Sequence, residues 1–140
     1  MKDYNIYSDF EDKVLRIDFE DSNLNDLTYY LNYLSSDELN EILKQIQDTV
    51  LVLNEKYIFN TTDFSLEANT DETIMIRDFH VKETSISINT KLFCEVLKDF
   101  LKKYSDFLIK LNEIIKQEEI DFISYIMNNR NESIDETKTL

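Results

Sequence analysis

A chain of 140 residues with 29 acidic and 15 basic side chains, a formal charge of −14, contains neither glycine nor proline. Average usage would supply about ten of the one and seven of the other. Their absence excludes the P-loop, the G-x-G-x-x-G turn, the G-x-S-x-G elbow and the standard EF-hand loop, each of which needs backbone free of Cβ.

In chain order, the first clear signal is residues 13–19, where Leu15, Ile17 and Phe19 alternate with Arg16 and Asp18, the period of a half-buried strand. Residues 24–34 then place Leu24, Leu27, Leu31 and Leu34 on one helical face. A second helix starts after Ser35, where Ser35-Ser36-Asp37-Glu38 has capping-box spacing, and carries Leu39, Ile42, Leu43, Ile46, Val50 and Leu53 on its core side. From Tyr57 to Asn89 the period returns to two, with one strand or two expected over 57–59 and 64–68, another over 74–81 and a third around Ile86 and Ile88. Turns without glycine should put any positive φ on Asn or Asp, and Asn54, Asn60, Asn69 and Asp71 stand where turns are needed.

Thr90 can cap a long helix to about Lys116. Its seam is Phe93, Leu97, Phe100, Tyr104, Phe107, Leu111 and Ile114, widened by Leu92, Val96, Leu101, Leu108 and Ile115. Gln117-Glu118-Glu119 breaks the phase, and Ile120, Ile123, Ile126 and Met127 suggest a further short helix. The sum is an α+β domain over 1–128, a small, mainly antiparallel sheet packed against an N-terminal helical hairpin and a long C-terminal helix, with a polar, flexible tail at 129–140. An apolar content of 42% and an aromatic content of 12% are too high for a disordered chain. A single Ala and an abundance of Ile, Asn, Lys, Asp and Glu are what AT-rich codons produce, so codon bias accounts for much of the missing glycine.

Candidate chemistry is sparse. His80 and Cys94 are the only residues of their kinds, too few for a Cys/His zinc site or an internal disulfide. Cys94 near a helix start could pair with His80 as a nucleophile, but it reads more simply as a small packing residue. Glu11-Asp12-Lys13, followed by Asp18, Glu20 and Asp21, matches half of a metal-dependent nuclease signature; in so acidic a chain a solvated strand edge accounts for it better. No catalytic, cofactor-binding or metal-ligating residue is therefore assigned, and no cofactor is called for. The first residues lack an apolar export segment and no apolar run is long enough to span a bilayer, which points to the cytoplasm.

Charge is unevenly placed. Residues 1–40 hold ten acids against three bases, residues 41–80 eight against three, and residues 81–140 eleven against nine. Such a surface argues against nucleic acid or membrane as direct ligand and for a basic protein partner. On the first helix Asp26, Tyr29, Tyr30 and Tyr33 centre away from the leucines; on the second, Asp37, Glu41, Asp48 and Glu55 lie opposite the apolar stripe, interrupted by Lys44. Tyrosines beside carboxylates suit an interface with a basic surface, so Asp26, Tyr29, Tyr30, Tyr33, Asp37, Glu41 and Asp48 are the expected contact residues. The stripe on the long helix also allows a homodimer.

In size, acidity and lack of catalytic residues the whole chain resembles the cognate immunity proteins of bacterial contact-dependent growth inhibition and polymorphic toxin systems. The resemblance is one of profile and carries no residue over. It implies a non-enzymatic inhibitor that binds a toxin domain, often a nuclease, at or beside its active site. The alternatives are a phage or plasmid inhibitor that mimics nucleic acid and an enzyme with a carboxylate metal site.

Overall fold

The computed structural model describes residues 3–78 and 83–138, with side chains to Arg130. Residues up to Ser105 form one compact unit and those from Asp106 a second.

The first unit opens with a two-stranded antiparallel ribbon, β1 (Tyr4–Asp9) and β2 (Val14–Phe19), registered from Tyr4 opposite Phe19 to Asp9 opposite Val14. β1 was not anticipated: its buried positions are Tyr4 and Ile6 alone, and Ser8, next in the alternation, is exposed, so the pattern carries one aliphatic residue. The connecting turn puts Lys13 at φ 59°, a left-handed position expected on Asn or Asp. Asp9 closes that turn, accepting from the Asp12 amide at 3.1 Å.

A 3₁₀ turn, Ser22–Leu24, leads into α1 (Leu27–Tyr33). The helix is shorter than the leucine spacing suggests, because Leu24 belongs to the turn before it. Along one side, Asn25, Thr28 and Asn32 meet the outer edge of β2. The amides of Phe19, Ile17 and Leu15 donate to Asn25 Oδ1 at 2.7 Å, Thr28 Oγ1 at 2.8 Å and Asn32 Oδ1 at 2.9 Å. Thr28 Oγ1 and Asn32 Nδ2 donate in return to the carbonyls of Ile17 and Leu15. Spacing of three and four residues puts these side chains on one helical face, where they replace a third strand.

Ser35 and Glu38 form the expected capping box of α2 (Ser36–Gln45). The helix continues through a widened π turn at Ile46–Val50 into α3 (Leu51–Leu53) and ends at Asn54, which takes the anticipated positive φ of 55°. Leu39, Ile42, Ile46 and Val50 are buried, but the stripe stops there, and Leu53 is 60% exposed.

The four-stranded sheet is an antiparallel meander, β3 (Tyr57–Asn60), β4 (Phe64–Ala68), β5 (Glu72–Asp78) and β6 (Glu83–Asn89), in that spatial order. Residues 79–81 of the strand expected over 74–81 lie outside the described residues. The β4–β5 turn needs no left-handed residue, because Asn69 Oδ1 accepts from the amides of Asp71 and Glu72 at 2.9 Å. Phe64, Leu66 and Ala68, with Met75, Ile86 and Ile88, form the buried face.

β6 runs directly into α4 (Thr90–Lys138). Its cap is Asn89, whose Oδ1 accepts from the Leu92 amide at 3.0 Å. Thr90, the expected cap, is fully buried, and its hydroxyl donates to the Asn69 carbonyl at 2.7 Å beside Thr73. Phe93, Val96, Leu97 and Phe100 complete the core of the first unit. In the second unit the helix continues without the break expected at 117–119 and reaches Lys138. Gln117 Nε2 bonds Asp121 Oδ1 at 3.0 Å, an i,i+4 pair that supports helix across the supposed break. The α+β class stands, but the strand expected over 13–19 pairs with β1 in a ribbon separate from the four-stranded sheet.

The β2 edge can be tested directly. Thr28→Val strips both buried partners from Ile17, and we expect a loss of about 1–3 kcal/mol in urea unfolding. Asn23→Ala on the exposed turn should change stability by less than about 0.5 kcal/mol.

Candidate functional site

The outward face of the ribbon and the exposed side of α1 form one continuous set of contacts. Tyr29 and Tyr33, four residues apart on α1, are 40% and 39% exposed, and Tyr7 on β1 is 39% exposed. Each has a fixed neighbour. The Arg77 guanidinium lies 4.3 Å from the centre of the Tyr33 ring and donates to the Tyr29 carbonyl at 3.1 Å. Arg16 lies 5.9 Å from the centre of the Tyr29 ring. Tyr7 donates its hydroxyl proton to Asp18 at 2.8 Å, which pushes the Tyr7 phenol up.

Arg16 is held on the other side by Asp9, at 2.8 Å, and by Asp12. Hydrogen bonding to the Tyr29 hydroxyl oxygen and to Asp9 raises its already high pKa, so it stays charged. Asp9 is held below the usual carboxylate range by the Asp12 amide first and by Arg16 second. Both arginines are thus committed to holding tyrosines in place, and cation–π contacts limit how far those rings can move.

Of the seven expected contact residues, six are exposed: Asp26, Tyr29, Tyr33, Asp37, Glu41 and Asp48. Tyr30 is a correction. It is 1% exposed, packs at a ring distance of 6.1 Å from Phe64 and hydrogen-bonds Thr84 at 2.7 Å. At 3.6 residues per turn it lies only about 60° from Leu27, against about 160° for Tyr29 and 120° for Tyr33. Tyr7, Arg16, Asp18 and Arg77 were missed. The signal for Tyr7 and Arg16 was their place on the polar side of two alternating strands; Arg77 carried no sequence signal toward α1.

The carboxylates differ in commitment. Glu41 accepts from Gln45 at 3.0 Å, whereas Asp26, Asp37 and Asp48 make no side-chain hydrogen bond or ion pair among the described residues. Their charge is available to an approaching molecule and costs no internal contact.

Cys94 is 4% exposed, and burial pushes its thiol up, opposite to an activated nucleophile. His80 lies outside the described residues. Glu11, Asp12 and Lys13 are exposed in the β1–β2 turn, with Asp12 tied to Arg16. Among the described residues, no group of three His, Cys, Asp or Glu side chains could hold a metal ion. Nor is any described helix long and apolar enough to cross a membrane. Comparison with protein-family models, curated proteins and solved structures found no match.

Burial of other tyrosines yields a prediction about alkaline pH. Tyr4, Tyr30, Tyr57 and Tyr104 all have raised pKa values, with burial the leading cause in each, reinforced at Tyr4 by Asp99 and at Tyr57 by Glu41. The folded chain keeps these protons above about pH 10 while the unfolded chain releases them, so stability is present below that pH and falls above it. Urea midpoints measured at about pH 8 and 11 should show the drop, accompanied by a burst of phenolate absorbance on unfolding.

Proposed function

We propose that this chain is a non-enzymatic acidic binding protein that captures a basic protein on the face carrying Tyr29 and Tyr33. The most economical biological form of that activity is an immunity protein that neutralises a basic cognate toxin in the cytoplasm. The observation that carries the reading is the pairing of two exposed, arginine-held tyrosines with uncommitted carboxylates nearby in sequence.

The physics of such a face matches capture. An aromatic ring already held in its rotamer loses little entropy on binding and buries a large area. Uncommitted carboxylates act at longer range, speeding encounter with a basic surface and making it salt-dependent. The whole-chain charge of −14 adds to that field. Arg16 does not cancel it, because it is already paired with Asp9 and Asp12.

The test uses the protein encoded by the neighbouring gene, titrated against this chain by calorimetry. We expect a complex whose affinity falls at least tenfold between 50 and 300 mM salt, as an order-of-magnitude figure for charge-steered partners. Tyr29→Ala and Tyr33→Ala should each cost about 1–3 kcal/mol, the range of a central interface aromatic, with circular dichroism unchanged. Tyr30→Phe should lower stability and leave affinity intact. Binding indifferent to Tyr29, Tyr33 and salt, or no complex at micromolar concentration, overturns the reading.

A further inference from the structure

The densest exposed apolar segment lies far along α4 in the second unit. Between Ile120 and Met127, six of eight side chains are apolar or aromatic. Ile120 is 56% exposed, Phe122 63%, Ile123 55%, Tyr125 64%, Ile126 46% and Met127 59%. Together they offer on the order of 700 Å² to solvent, above the roughly 300–600 Å² of the largest patch on a typical monomer. At 100° per residue they cover more than half of the helix circumference, and a helix apolar over so wide an arc is ordinarily buried against others.

We propose that this segment pairs antiparallel with the same segment of a second copy of the chain. Superposing the apolar block on itself in that direction fixes the centre between Ile123 and Ser124. Ile123 and Ile126, about 60° apart around the helix, then centre the seam, and Phe122 and Met127 flank it on either side. Two such surfaces, covered by somewhat more than half, bury about 1,000 Å², the lower bound for a specific interface.

Charge selects the direction. Glu118, Glu119 and Asp121 precede the block's centre, and Arg130 is the only base between residues 117 and 130. The antiparallel arrangement brings each Arg130 level with residue 117 of the other copy, within reach of Glu118 and Glu119. A parallel, in-register pair would set all three acids against their own copies and Arg130 against Arg130. Like charges so placed are unfavourable, while opposite charges at the rim of an apolar seam fix register. The pairing uses none of the residues assigned to the tyrosine face and stands or falls separately from it.

Analytical ultracentrifugation of the full chain should show a monomer–dimer equilibrium in the micromolar range. Phe122→Glu with Ile126→Glu should raise the dissociation constant at least a hundredfold without changing circular dichroism, since both side chains are exposed. Arg130→Glu should weaken the dimer about tenfold, and adding Glu118→Arg and Glu119→Arg should restore it. Spin labels at Glu113→Cys, in a Cys94→Ser background, should lie about 30 Å apart along the antiparallel pair from a 1.5 Å rise per residue, against about 10 Å if parallel. A monomer at 100 µM, a dimer indifferent to the Phe122 and Ile126 substitutions, or the short label distance overturns the proposal.

Discussion

The edge of β2 is the constraint on which the first unit depends. A two-stranded ribbon is marginal alone in water, because each strand leaves a row of amides and carbonyls without partners. Here Asn25, Thr28 and Asn32 meet that row one side chain at a time, at 2.7–2.9 Å for the three amides. The opposite strand receives a smaller version of the same treatment: Lys103 Nζ donates to the Ile6 carbonyl at 2.8 Å, and Tyr4 donates to Asp99. Helices thus take the place of neighbouring strands. Buried polar side chains of this kind are tolerated only when their partners are complete, and at Thr28 they are.

That docking also determines what α1 can show to solvent. With one side on β2 and another, through Leu27, Tyr30 and Leu31, in the core, only the remaining arc is free. Tyr29 and Tyr33 occupy it, and the ribbon's outer face extends it through Tyr7 and Arg16. Arg77 links the two layers by reaching from β5 to the Tyr29 carbonyl and the Tyr33 ring. The candidate face is a by-product of how the edge is satisfied, which is why its geometry is held by backbone elements and not by a loop.

Sequence reading succeeds here where a signal is local and fails where it depends on a distant surface. The Ser35–Glu38 cap, the alternating strands between Tyr57 and Asn89 and the left-handed Asn54 are legible because each follows from neighbouring residues. β1 is not, since its buried positions are Tyr4 and a single aliphatic side chain, Ile6. Nor is the role of Asn25, Thr28 and Asn32, which resemble any polar helix face until an unpaired strand is placed against them. Tyr30 fails for a geometric reason: amphipathic arcs are broad, and a tyrosine beside the leucines can be buried if its hydroxyl finds a partner such as Thr84. At Lys13, in the β1–β2 turn, the backbone adopts φ 59° although the residue is neither Asn nor Asp.

The two sheets differ in how far apart in sequence their supports lie. Every strand pair of the meander joins consecutive elements, so its contacts close short loops. The ribbon's β1 side, by contrast, is held by Tyr4 to Asp99 and Ile6 to Lys103, partners 95 and 97 residues apart, and α1 is tied to Tyr104 through the Leu34 carbonyl across 70. Closing loops of that length costs entropy before any contact repays it. The meander can therefore assemble from its own hairpins, whereas the ribbon completes its outer edge only once the start of α4 is in place, which makes the last part of the first unit to be synthesised a requirement for finishing the first.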